Sequence, residues 1–533
     1  MINSLAKHFF LLFSVMCMLT SCNIHNLITK TPRLTYDRSQ EVGLNKYQKD
    51  GIFLYETIKQ AYPRIETKIP LVQLEEEKKQ LLEDLSDVKS DLEFRLKLQR
   101  FMALLNDGHS LVALDFDNNS EVYPIRIVRD KDSWLILNVD KEAADSSAIG
   151  SAILSVNGIS IVEIERRINQ FESGENIYWK RIGFFNHLPR PDYWTFLGVK
   201  SKDDSALNFS IRTRAGTDQT FVLHPKKQAA GYNMEEKKLF TYPQNDGFFY
   251  KVDAAENYAY LQMNTCLDYV SIKSEIAGYT NLFARPFALA YLKKRKKNAL
   301  NFGIVLQSMF RQMEQEQIDH LIIDLRYNTG GDERTGKQLL WYLGENKNIQ
   351  GFTDYTQISD YYRQTVKKDY KDYRKLYKKK YGQAIPNGEI NISELKDETY
   401  FENIEKKESP YLLDYSIPKF KGAVYVIIGN QTFSGGQILA TTISDNGLAT
   451  IIGQPTGNKP TSQTIFSQMK LPHTKTRVQL SCVYMERPDA SKNEMDALYP
   501  DIELHTTFEK WLEGRDVCFD YILEEIKQKK NNQ

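Results

Sequence analysis

"GAVYVIIGNQTFSGGQILATTISDNG", residues 422–447, sets the reading of the whole chain. The apolar run Ala423–Ile428 reads as a strand, Ser434 stands directly before Gly435 and Gly436, and an apolar-periodic helix follows. A serine at such a strand-to-helix turn is presented at a cleft. The backbone N–H groups and dipole of the helix N-terminus then favour a developing oxyanion. The same residues also suit a plain helix cap, because serine is common at that position. No GxSxG elbow is present, which removes the main support for an α/β-hydrolase.

Working outward, "YAYLQM" at 258–263, "LIIDLRYNTGGDE" at 321–333, a helix from about 335, "ATIIG" and "RVQLSCVY" continue an alternation of strands and helices. That alternation predicts an α/β layer. We assign residues 245–510 to a catalytic domain with insertions and 511–533 to a C-terminal helix. Two basic stretches interrupt it, "KKRKK" at 293–297 and "KKDYKDYRKLYKKKY" at 367–381. In the second, Tyr370, Tyr373, Tyr377 and Tyr381 fall at helical spacing, so an amphipathic helix with packed tyrosines and solvated lysines is expected.

Upstream, residues 46–118 carry dense charge and helical apolar spacing, as in "LVQLEEEKKQLLEDL", and read as an N-terminal helical domain. Residues 119–226 begin with strand-like runs. In "ILSVNG" a strand, Ile153–Val156, meets an Asn157-Gly158 turn, and an amphipathic helix follows over 162–171. This order resembles PDZ domains of bacterial proteases, with "ALNFSIRTRAG" and "TFVLHP" as closing strands after an insertion at about 172–204. PDZ domains add an extended peptide to a sheet edge.

The 533 residues carry 70 basic and 69 acidic side chains, so the global charge points to no nucleic-acid partner. Length implies several domains. The first 22 residues have Lys7, an apolar run and small residues, the pattern of a secretory signal. Leu19-Thr20-Ser21-Cys22 resembles the bacterial lipobox, which implies lipidation at Cys22, an exported lipoprotein held on the bilayer, and the outer membrane as the favoured site. Residues 23–45 read as a tether. Cys266, Cys482 and Cys518 match no zinc spacing and read mostly as buried thiols, with one disulfide possible. The eight histidines are scattered without an HExxH, so neither a metal nor another cofactor is expected.

Taken together, "LIIDLRYNTGG", Ser434 before small residues, Lys459 25 positions on, Gln463 four further, "LLNDGHS" and "LYPDIEL" resemble the C-terminal processing peptidases and their tricorn-core relatives. The resemblance spans roughly residues 90–505 and implies a crotonase-like α/β catalytic domain. It implies Ser434 as nucleophile, Lys459 as general base and Gln463 orienting the lysine. Gly435 with Gly330 or Gly331 would form the oxyanion hole. Asn458 and Pro460 stand where the family usually has glycine beside the lysine. A second base is His109, which in tricorn-like relatives serves the serine, with a carboxylate such as Glu486 in support. The expected function is a membrane-anchored serine endopeptidase of the bacterial envelope acting on protein or peptide substrates. The alternative is a catalytically silent peptide- or lipophile-binding lipoprotein on the same fold.

Overall fold

The computed structural model describes residues 29–115, 120–227, 247–273, 301–343, 349–396, 398–405 and 411–531. Cys22 with its signal-like leader and the basic run at 293–297 lie outside them. Among the described residues no helix is long and apolar enough to cross a membrane.

Three helices open the described chain: α1 (Lys46–Ala61), α2 (Leu71–Asp84) and α3 (Asp91–Ala103). A capping box between Asn45 and Gln48 starts α1, and the Ser90 side chain accepts the Glu93 N–H at the start of α3. Their apolar faces bury Phe53, Leu54, Ile58, Leu98 and Met102 against Met469, Leu471, Val478 and Leu480. The expected helical domain therefore shares its core with the catalytic part. The expected tether also differs from residue 29 onward. Leu34 is buried in that same core and the Arg33 N–H donates to the Gln364 side chain at 2.8 Å. One apolar side chain at the right place docks a stretch whose average polarity concealed it. Strand β1 (Leu111–Val112) follows.

The next unit is an antiparallel sheet of β2 (Ile125–Asp130), β3 (Ser133–Val139), β4 (Ala152–Val156), β6 (Leu207–Arg212) and β7 (Asp218–Leu223), with β5 (Ile159–Ser160) beside β4. Asn157 and Gly158 both take positive φ, 49° and 76°, as the tight turn between β4 and β5 requires. Helix α4 (Ile161–Asn169) follows that turn. The insertion folds as α5 (Ile177–His187) and α6 (Pro191–Phe196).

The central sheet runs β17-β14-β13-β10-β9-β8, formed by β8 (Phe248–Asp253), β9 (Tyr258–Met263), β10 (His320–Asp324), β13 (Ala423–Ile428), β14 (Thr450–Gly453) and β17 (Ile502–Glu503). All its pairings are parallel except that of β8, at the edge. One face packs on α7 (Phe302–Gln315), α8 (Glu333–Tyr342) and α10 (Gly435–Asp445). The other packs on the C-terminal helix α11 (Val517–Asn531) through Cys518, Ile522 and Ile526. Covered on both faces, β9 is buried at every position. The basic tyrosine-bearing segment is α9 (Lys367–Tyr381), with Tyr370, Tyr373 and Tyr377 partly buried and Tyr381 exposed.

A third sheet has the order β1-β16-β11-β12, with β11 (Thr353–Ile358), β12 (Gly388–Asn391), β16 (Arg477–Glu486), and β15 (Ser462–Lys470) pairing β16. "RVQLSCVY" thus belongs to an antiparallel hairpin and not to the α/β layer, a distinction that apolar content alone does not carry. Cys266, Cys482 and Cys518 are free and buried.

Candidate active site

β10 and β13 are parallel neighbours, so their carboxyl ends deliver the 325–331 loop and the 429–434 turn to one edge of the sheet, where α/β folds place their ligands. The two loops are stitched together. Thr432 Oγ1 donates to the Leu325 carbonyl at 2.8 Å, and the Phe433 N–H donates to the Asn328 carbonyl at 2.9 Å. The fully buried Asn328 side chain donates to the Met263 carbonyl at 3.0 Å and accepts the Gly330 N–H at 2.9 Å.

Ser434 sits at φ 51°, ψ −125°, and its side chain makes no capping bond to α10. A capping serine has extended backbone and bonds the next turn. Ser434 does neither, and it occupies a conformation that costs a non-glycine residue on the order of 1–3 kcal/mol. Gly330 packs against it: a Cβ there would lie 2.6 Å from Ser434 Cβ and 2.8 Å from Gly435 N. The Gly330 N–H is taken by Asn328. Among the described residues the Gly331 and Gly435 N–H groups have no acceptor, and a Cβ at Gly435 would lie 3.1 Å from Gly331 N. Of the two expected alternatives, Gly331 is the one whose donor is available.

His109 reaches this edge from the loop before β1, which pairs with β16 through Leu111↔Gln479. Asp107 shapes the loop. Its carboxylate accepts the His109 N–H at 2.9 Å, the Ser110 hydroxyl at 2.5 Å and the Tyr62 hydroxyl at 2.9 Å. The His109 ring stacks on Phe433, the residue before the serine, with centroids 4.6 Å apart. It is 3% exposed, and among the described residues neither buried ring nitrogen has a hydrogen-bond partner. Burial pushes the imidazole pKa below its ordinary value despite the opposing Asp107 charge, which favours the neutral ring that a general base requires.

Lys459 and Gln463 do not form the expected pair. Lys459 Nζ lies 3.9 Å from the Glu494 carboxylate and its side chain is a quarter exposed. A lysine base needs burial away from carboxylates. Gln463 is fully buried, but its amide donates to the Pro63 carbonyl at 2.9 Å and lies 3.3 Å from Thr67 Oγ1, so it fastens the α1–α2 connection. Glu486 is held by Arg64 at 2.6 Å and by the Tyr355 hydroxyl at 3.2 Å, which ties it to the third sheet instead of to His109.

Residues 289–504 match Peptidase family S41. That match makes this segment similar to a family of serine-type peptidases. The S41 segment contains Ser434, Gly330, Gly331, Gly435, Lys459 and Gln463, whereas His109 precedes it. The fold resembles that of mature CPAF, with a TM-score of 0.60 and 14% identity over 92% of this chain and 98% of that one. It also resembles mature CPAF complexed with lactacystin, at 0.58 and 14% over 92% and 99%. No curated protein matches the sequence.

Sequence reasoning missed three contributors to this candidate site. Asn458, noted as a departure, accepts the Ser434 N–H at 3.1 Å through Oδ1 and donates to Gln437 Oε1 at 3.2 Å. Trp179 stacks flat on Phe433, with centroids 3.8 Å apart. Glu175 places its carboxylate beside His109 and Asp107. Glu175 and Trp179 lie in the insertion, where no motif marked them. Asn328 stood within the quoted "LRYNTGG" but carries no reactivity of its own.

Proposed function

We propose that the protein is an endopeptidase in which Ser434 is the nucleophile and His109 the general base. The observation that carries this reading is the strained Ser434 turn, flanked by two unbonded backbone donors and by a buried imidazole stacked on the preceding side chain. Ser434 Oγ attacks the peptide carbonyl while His109 takes its proton. The oxyanion is met by the N–H groups of Gly331 and Gly435, each such donor typically contributing about 2.7–4 kcal/mol. The tetrahedral adduct collapses as imidazolium returns the proton to the leaving amine, and the acyl-enzyme at Ser434 is hydrolysed by water with His109 again as base.

The antiparallel sheet with α4 supports a PDZ-like role, in which an extended peptide or chain terminus is captured before cleavage, as in C-terminal processing. The lipobox-like Leu19–Cys22 supports lipidation at Cys22 and anchoring to the bacterial envelope, with the outer membrane favoured. Substrates are then proteins or peptides of that compartment.

The test uses the full-length chain in detergent with an unstructured protein as substrate. Wild type should degrade it, and lactacystin, the compound in one CPAF complex, should block turnover with a mass increase on the Ser434 peptide. Equal turnover by Ser434→Ala refutes the reading. Retained peptide binding without any cleavage by wild type would instead favour the silent-binding alternative.

A further inference from the structure

We propose that Glu175, carried into the site by the insertion between α4 and β6, is the carboxylate that orients His109 and balances the charge of its imidazolium. This rests on the peptidase reading given above. Ligand atoms of Glu175, His109 and Asp107 lie within 4.8 Å of one another. Asp107 is the nearer carboxylate, 3.8 Å from His109 Nδ1, but its oxygens already accept three donors and hold the loop. Glu175 has both oxygens buried near the backbone N–H groups of Gly108 and of Glu175 itself, with no side-chain donor bonded to them among the described residues, and both His109 nitrogens lack a partner there. A buried carboxylate without a side-chain donor and a buried imidazole without a partner thus lie side by side next to the nucleophile turn. Leaving the imidazole unpaired costs about 1–3 kcal/mol, which contact with Glu175 recovers.

The insertion is anchored where this delivery requires it. Asn176, the next residue, donates to the Thr456 carbonyl at 3.1 Å and the Asp496 carbonyl at 2.9 Å, and its side chain accepts the Trp179 N–H at 3.1 Å to start α5. Trp179 then covers Phe433. The chain just after Glu175 is thus fixed at two points, at Asn176 on the Thr456 and Asp496 carbonyls and at Trp179 beside the nucleophile turn.

Charge sets the working range. Asp107, Lys68, Lys180 and the Tyr62 hydroxyl face Glu175, His109 lies beside it, and Lys459 faces Lys68. Burial first and the Asp107 charge second push the Glu175 pKa up to about 8, with Lys68 opposing. Glu175 is therefore protonated below that point and charged above it, and only the charged form stabilises an imidazolium. Lys68 in the cluster, together with the saturated Asp107, argues against these three groups holding a cation.

The experiment compares wild type, Glu175→Gln, Glu175→Asp and Ser434→Ala in full-length protein, recording kcat and KM from pH 6 to 9.5. A fluorophosphonate titration of Ser434 counts correctly folded sites. Wild-type kcat should climb between pH 7 and 9. Glu175→Gln should lack that climb, falling about 100-fold below wild type at pH 9 and only a few-fold at pH 6, with KM within about twofold. Glu175→Asp should restore part of the climb. A Glu175→Gln profile that parallels wild type, with Ser434→Ala inactive, overturns the role of Glu175 alone. An active Ser434→Ala overturns the peptidase reading beneath it.

Discussion

The side chain of Asn458 accepts the backbone N–H of Ser434 at 3.1 Å, while its amide donates to Gln437 in the first turn of α10. The position where the family usually has glycine is thus a brace on the nucleophile turn. Asn458→Ala leaves a Ser434 N–H and a buried Gln437 oxygen unpaired, and should cost about 1–3 kcal/mol by urea unfolding. Turnover should fall with it, since the turn loses its support. Unchanged stability and activity would show that the brace is idle.

Strain at Ser434 gives a second expectation. Ser434→Gly and Ser434→Ala both remove Oγ and should both be inactive. Glycine takes φ 51°, ψ −125° without the Cβ penalty that alanine keeps. The glycine variant should therefore be more stable than the alanine variant by about 1 kcal/mol, read as a higher melting temperature.

Gly330 has φ 104° and no room for a methyl group beside Ser434 Cβ. Gly330→Ala should displace the nucleophile, lowering kcat by at least about 100-fold, with a loss of stability from backbone strain and overlap. Gly216 also has positive φ, 81°, but nothing lies within 4 Å of a Cβ there. Gly216→Ala should cost only the backbone term and leave kcat unaltered.

The two candidate bases separate cleanly. His109→Ala should reduce kcat by about 10³-fold or more, while Lys459→Ala, which removes a partly exposed cation near Glu494, should stay within about tenfold of wild type. The reverse order in a steady-state assay would restore the serine–lysine scheme.

Glu175 also leaves a mark on stability. Its folded-state pKa is raised above the unfolded one, so the folded chain holds this proton where the unfolded chain has lost it. Its contribution is fully present below about pH 4.5 and disappears as pH rises through about 8. Glu175→Gln should melt higher than wild type at pH 9, and the gain should be absent at pH 5.

Much of this was legible in the chain. Runs such as Tyr258–Met263 and Ala423–Ile428 are too apolar and too short to be anything but buried strands, and Asn157-Gly158 fixes its own turn. The approach of Gly330 to Ser434 was implied by the resemblance to the processing peptidases. The direction of a side chain is another matter. The resemblance put Lys459 and Gln463 beside Ser434, yet the lysine ammonium turns to Glu494, and Gln463 turns to Pro63. Glu175 and Trp179 reach the site only because a separate sheet docks there, which no local pattern encodes. Leu34 and "RVQLSCVY" were misplaced for the same reason, since apolarity reports burial and not the neighbour.

The centre is closed by very distant partners: Gln479 donates to the His109 carbonyl across 370 positions, and Asn176 reaches Thr456 across 280. A ribosome must therefore finish nearly the whole chain before the imidazole loop has its supporting strand or the serine has its neighbours. A nascent chain that has just passed Gly435 holds every reactive group but still lacks Thr456 and Gln479, and so has no reactive arrangement. For a serine-type peptidase, that order of events keeps the nucleophile idle until synthesis is nearly complete.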